Sequence, residues 1–213
     1  LENRARPLMT ILREARQALG HDFPISVKLN SADFQRGGFN EEEAMQVVQM
    51  LDDAGVDLLE ISGGTYEHLA FLVMDQTEVK ESTRRREAYF LDFARKVRQV
   101  SDIPLMVTGG FRSRSFAEEA LEEGGLDVIG MGRPFLTEPH QVGAFLRGEL
   151  EQFSTLKIRT GIKSLEDMAE GGFYARQLIR LAEGKAPRLD MNPLVAAVFV
   201  PLHEMKKAAG KRF

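Results

Sequence analysis

Four short apolar runs, each closing on glycine or a polar side chain, punctuate the first two thirds of the chain: residues 25–30 (ISVKLN), 58–64 (LLEISGG), 103–110 (IPLMVTGG) and 127–133 (DVIGMGR). Runs of this length bounded by turn residues read as strands, and a segment of helical periodicity follows each of the first three. Strands alternating with helices imply a parallel sheet, because parallel neighbours need a crossover connection. Ahead of the first strand, Leu8, Ile11, Leu12, Ala15 and Leu19 fall at helical spacing and Gly20 supplies a stop. Asn40 followed by Glu41-Glu42-Glu43 is an N-cap with carboxylates in the positive first turn, predicting a helix to Ala54-Gly55. After the second strand comes a long polar stretch, and then Tyr89, Phe90, Phe93, Val97 and Val100 line one helical face. Phe116, Ala120 and Leu121 belong to a helix that ends at Gly124-Gly125, and residues 139–149 predict a short one. Beyond Gln152 the periodicity weakens, with one or two helices over 164–182 and an extended link over 187–193. No close internal repeat is visible.

The expected fold class is therefore α/β, of the (β/α)8 barrel type. Four βα units are half of the eight that close a barrel. Residues 1–150 are expected to form the half-barrel and 151–213 a C-terminal helical extension packing on it.

Composition narrows the partners. At 213 residues and 43% hydrophobic, the chain can bury one sizeable core. A formal net charge of -4 provides no basic field for nucleic acid or an anionic membrane. The absence of cysteine removes disulfides, thiolate metal sites and cysteine nucleophiles together. The longest apolar stretch, around 194–202, is far shorter than the roughly 20 residues that cross a bilayer. With no signal-like start, a cytoplasmic location is expected. A first residue other than Met suggests a chain cut from something longer.

Strand alternation orients the candidate chemistry. Ser26, Lys28 and Asn30 share one side of their strand, with Val27 and Leu29 on the other; Glu60 and Ser62 match them on the next. If the apolar sides face the helices, Lys28 and Glu60 point into the barrel as neighbours, either as a compensating ion pair or as part of a site. Thr108-Gly109-Gly110-Phe111 and Gly130-Met131-Gly132-Arg133 close two consecutive strands. Glycines let backbone N–H groups approach an anion, and Arg133 could add a bidentate grip; the alternative is tight turning with no ligand. His21, His68, His140 and His203 form no catalytic or metal pattern, and Arg84-Arg85-Arg86 reads as a solvated helix start. No metal site is expected.

In order along the chain, Leu1-Glu2-Asn3-Arg4, Val27-Lys28-Leu29-Asn30-Ser31, Leu59-Glu60-Ile61-Ser62-Gly63-Gly64, Arg86-Glu87-Ala88-Tyr89-Phe90, Val107-Thr108-Gly109-Gly110-Phe111 and Val128-Ile129-Gly130-Met131-Gly132-Arg133-Pro134 resemble the old yellow enzyme family of NAD(P)H:flavin oxidoreductases. A weaker match runs through 171–187. The resemblance implies that this chain supplies about the last four βα units of an FMN-binding barrel. Such an enzyme takes hydride from NAD(P)H and passes it to an activated alkene or similar small-molecule acceptor. Lys28 matches the family's basic residue beside the flavin N1 and C2 carbonyl. Gly109, Gly110 and Phe111, with Gly132 and Arg133, match its FMN phosphate grip. The family's substrate-holding His/Asn or His/His pair and its usual Tyr proton donor precede the Leu-Glu-Asn-Arg motif, so no catalytic residue is assigned here. The chain alone is expected to be inactive and to self-associate or pair with the N-terminal half. Two further readings stay open: a phosphate-binding barrel isomerase or lyase, and a non-catalytic self-associating half-barrel.

Overall fold

A computed structural model describes residues 1–33, 37–62, 91–123 and 125–210. Gly63, Gly64, His68, Arg84 to Arg86, Tyr89 and Phe90 lie outside the described residues. The chain forms two compact units, Leu1–Phe111 with Ser115–Gly130 and Arg112–Arg114 with Met131–Phe213. The boundary between the two units falls beside Met131.

In the first unit, β1 (Ser26–Asn30), β2 (Leu58–Ser62), β3 (Leu105–Thr108) and β4 (Val128–Gly130) form one parallel sheet in sequential order. Helices α1 (Glu2–Leu19), α2 (Glu41–Asp53), α3 (described over 91–97) and α4 (Arg114–Glu122) alternate with the strands. This is the expected succession of βα units. The helix α1 starts at Glu2, ahead of the periodic positions that begin at Leu8, and carries Pro7 inside it. At α2, Asn40 Oδ1 accepts the Glu43 N–H at 2.9 Å, the cap that the sequence indicated.

One face of the sheet is apolar and buried. Val27, Leu59, Ile61, Leu105 and Val107 are at most 7% exposed. The helices add one buried stripe each: Ala44, Val47, Val48 and Leu51 from α2, Phe93, Ala94 and Val97 from α3, Ala117 and Ala120 from α4. Burying a Val, Leu or Phe contributes roughly 1.5–3 kcal/mol, so this layer supplies most of the drive to fold.

The N-terminal ends of the strands are tied by one device used twice. Asp57, just before β2, accepts the Ile25 N–H at 2.7 Å and donates its own N–H to the Ile25 carbonyl at 2.9 Å. Asp127, just before β4, makes the same pair with Leu105, at 2.7 and 2.9 Å. An arginine from a preceding helical segment completes each. Arg16 bonds Asp57, the Gly55 carbonyl at 2.7 Å and the Phe23 carbonyl at 2.6 Å. Arg98 bonds Asp127, the Gly125 carbonyl at 3.0 Å and the Ile103 carbonyl at 2.8 Å. Each clamp therefore joins a helix end to two neighbouring strands, and it is an internal repeat that the sequence does not display.

The second unit is helical: α5 (Arg133–Thr137), a 3₁₀ turn (Pro139–Gln141), α6 (Val142–Leu146), α7 (Lys163–Ala182) and α8 (Pro193–Gly210). The expected helix over 139–149 is thus two shorter pieces, and 164–182 is one helix. Ala169 and Phe173 of α7 pack with Ala196 and Ala197 of α8. A Cβ at Gly172 would overlap the Ala196 carbonyl, so glycine permits the close approach of the two helices. Gln177, fully buried, donates to the Phe173 carbonyl at 3.1 Å and accepts the Arg188 N–H at 2.7 Å. No helix among the described residues is long and apolar enough to cross a membrane.

Two outcomes test the clamps. Arg98→Met should lower stability by about 1–3 kcal/mol, the range for hydrogen bonds to a charged group, measured by urea unfolding; an unchanged midpoint would show that the carbonyls are equally well served by water. The Ile25 N–H, and then Arg16, hold the Asp57 carboxyl below its ordinary value. A depressed folded value stabilises fully above about pH 4 and is lost as pH falls through that lowered value. Asp57→Asn should accordingly cost stability at pH 7 and flatten the acid limb of the stability curve.

Candidate functional site

The register of β1 and β2 sets Lys28 opposite Glu60 and Asn30 opposite Ser62, on the face away from the apolar layer. Glu60 pairs in turn with Met106, and Thr108 lies opposite Gly130. Successive residues of a strand point to opposite faces, so Lys28, Asn30, Glu60, Ser62 and Thr108 gather on one polar face near the C-terminal ends of their strands. The orientation expected for Lys28 holds: Val27 is buried and Lys28 is not.

Lys28 Nζ donates to Glu60 Oε1 at 2.6 Å, the lysine side chain 55% exposed and the glutamate 21%. Burial works against the charged form of Glu60. The Lys28 ammonium, with a smaller effect of the nearby Thr108 hydroxyl, which is not hydrogen-bonded to it, outweighs this and holds the carboxyl below its usual range. The pair is therefore ionic at neutral pH. One layer nearer the strand ends, Ser62 Oγ donates to Asn30 Oδ1 at 2.9 Å. Beyond β1, Asp33 Oδ2 accepts the Phe39 N–H at 3.1 Å and closes the following loop.

The glycine-rich end of β3 divides its labour. Gly109 and Gly110 have φ of 114° and 85°, a backbone that other residues adopt only with strain. The Gly109 N–H is already used, donating to the Gly130 carbonyl at 3.1 Å and so joining the ends of β3 and β4. The Gly110 and Phe111 N–H groups have no backbone acceptor among the described residues. The Phe111 ring is 2% exposed and stacks on Phe116 with centroids 5.3 Å apart, so a ligand can meet only the backbone of this residue.

In the second unit, Gly132 precedes α5, and a Cβ there would meet nothing within 4 Å. The Arg133 guanidinium donates to Glu170 Oε1 at 2.8 Å and lies over the Tyr174 ring, 5.9 Å from its centroid. It is engaged by α7, with 47% of the side chain exposed. Sequence reasoning missed Glu170 and Tyr174, and no local signal marks them as partners of a residue 37 positions away. It also passed over Thr108 as a chemical group, although alternation places it on the Glu60 face. His203 stacks on Phe199 with ring centroids 5.6 Å apart. No cluster of metal-ligating side chains occurs among the described residues.

Residues 1–146 match the family model described as the NADH:flavin oxidoreductase / NADH oxidase family. The chain is 33% identical over 138 residues to an NADH oxidase of Thermoanaerobacter brockii, covering 65% of this chain and 20% of that protein. It is 36% identical over 140 residues to an NADH-dependent flavin oxidoreductase of Hypocrea jecorina, covering 65% and 35%. Among solved structures, a 2-naphthoyl-CoA reductase complex aligns with TM-score 0.57 and 27% identity over 70% of this chain and 22% of its own. A histamine dehydrogenase from Rhizobium sp. 4-9 aligns with TM-score 0.57 and 18% identity over 93% and 25%, a likeness of fold alone. The chain thus spans between 18% and 35% of the length of the first curated relatives. With its parallel βα strands and with a family match over most of its length, the chain belongs to the NADH:flavin oxidoreductase / NADH oxidase family, whose FMN-dependent enzymes draw on NAD(P)H.

Proposed function

We propose that this chain supplies the FMN-facing part of an oxidoreductase that passes hydride from NAD(P)H to an activated alkene or similar small-molecule acceptor. The observation that carries the reading is the Lys28–Glu60 pair, standing on an open polar face beside the glycine-rich end of β3. The residues present suit FMN. The half-exposed ammonium can meet an electron-rich ring edge, and the Gly110 and Phe111 N–H groups suit a phosphate. Bound FMN would supply the hydride chemistry itself, accepting from one partner and donating to the other.

What the chain's own side chains contribute is electrostatic. Lys28 sets a fixed positive charge where negative charge would develop, and a charge already in place needs no reorganisation during reaction. Glu60 limits the cost of keeping that ammonium in a partly dry site. Gly109 ties its strand to β4 and so presents the following two N–H groups. Gly132 and Arg133 are assigned to the phosphate from the motif match alone; within its own unit the Arg133 guanidinium is engaged by Glu170.

Among the described residues β1 and β4 are the edges of the sheet, which bears on what the isolated chain can do. An unpaired edge beside an open face invites another chain, and hydride transfer requires donor and acceptor held in a near-attack geometry. We assign the remaining barrel strands, and with them the acceptor site, to further polypeptide.

In a complete enzyme containing this chain, Lys28→Met should slow reduction of bound flavin by NAD(P)H about 10- to 100-fold while FMN stays bound, read by stopped-flow absorbance; an unchanged rate would remove Lys28 from the flavin's surroundings. The 213-residue chain by itself should bind FMN weakly, associate in sedimentation and show no steady NAD(P)H oxidation. Monomeric protein with stoichiometric FMN and turnover would mean that the site is built differently.

A further inference from the structure

One polar group on the sheet's open face has no function in the reading above. Thr108 Oγ1 is buried and has no hydrogen-bond partner among the described residues. A buried hydroxyl without a partner loses its hydration and gains nothing in return, whereas valine would fill the same space without that loss. The neighbouring strand is adapted to this side chain. Gly130 lies directly opposite in register, and a Cβ there would overlap Thr108 Oγ1 and Cβ. Any larger residue at 130 would displace Thr108 from its place.

On the same face of the adjacent strand, diagonal to Thr108 in register, stands the Glu60 carboxyl, whose charged form the nearby hydroxyl favours although no hydrogen bond joins them. Among the described residues that carboxylate takes one hydrogen-bond donor, Lys28 Nζ at 2.6 Å, and a carboxylate has about four lone-pair positions. We propose that Thr108 is a positioning residue: its hydroxyl closes onto Glu60 by side-chain rotation, so that Lys28, Glu60 and Thr108 form a polar chain across three adjacent strands that holds the ammonium in one place. The functional meaning of that placement rests on the reading of Lys28 as the flavin's neighbour. A carboxylate gripped from both sides cannot swing away with its lysine, and two donors keep it ionised where burial opposes the charge. Among the described residues, Lys28 on β1 is the charged group that faces Glu60; β3 faces it with Met106 and Thr108, neither of which titrates.

The test is a carboxyl titration of Glu60 in the full chain, followed by carbon-13 NMR and assigned with Glu60→Gln. Thr108→Val should move the Glu60 midpoint upward, Thr108→Ala should do the same, and Thr108→Ser should return it to the wild-type position. If Thr108→Val does not fold, Ser against Ala still isolates the hydroxyl, since both leave the same room beside Gly130. Coincident midpoints for Ser and Ala overturn the proposal, as does an unmoved midpoint in a folded Val variant. Adding FMN separates the two readings. A midpoint that depends on the hydroxyl, together with Glu60 and Lys28 resonances that stay unmoved at FMN concentrations that shift the Gly110 and Phe111 amides, upholds the polar chain and sinks the flavin assignment.

Discussion

The sheet depends on the clamps at its N-terminal edge. A parallel strand is paired to its neighbour by slanted hydrogen bonds that do not by themselves fix register, because any even shift preserves the apolar face. Asp57 and Asp127 remove that freedom: each exchanges two hydrogen bonds with one residue of the adjacent strand, Ile25 or Leu105. Arg16 and Arg98 then fasten each aspartate to a helix end and to loop carbonyls that would otherwise need water. Both aspartates follow a glycine of positive φ, Gly55 at 68° and Gly125 at 72°, which turns the chain from helix into strand. Register set at this end determines what meets what at the other.

At the other end, register becomes chemistry. With Ile25 and Asp57 locked, Lys28 falls opposite Glu60; with Leu105 and Asp127 locked, Thr108 falls opposite Gly130. A slip of one residue in β1 would turn Lys28 into the apolar layer and Val27 onto the polar face. The division between a stabilising edge and a chemical edge follows the rule for barrels, in which active sites collect at the C-terminal ends of strands.

Within the second unit, one long side chain ties the family motif to a C-terminal helix. Arg133 leaves the end of the motif that follows β4 and engages Glu170 and Tyr174 of α7, beyond the 1–146 stretch that the family model matches. An exposed pair of this kind contributes little to stability, so its effect lies in where it directs the guanidinium.

The strands, the α2 cap and the facing of Lys28 were legible in sequence because each depends on local period and on nearby residues: alternation for β1 and β2, and Asn40 beside three glutamates for α2. The ordered glycine motifs likewise disclosed the family. Three things were decided only by tertiary structure. The repeated clamps join residues as far apart as Arg16 and Asp57, and their shared Gly-Val-Asp and Gly-Leu-Asp steps are too short to stand out as a repeat. The commitment of the Gly109 N–H to the Gly130 carbonyl, and of the Phe111 ring to Phe116, comes from packing across β3, β4 and α4 that the local motif does not encode. The partner of Arg133 came from a helix whose place in the fold no local pattern encodes. Periodicity reports which face a residue occupies; which atom stands across from it depends on the packing of segments distant in sequence.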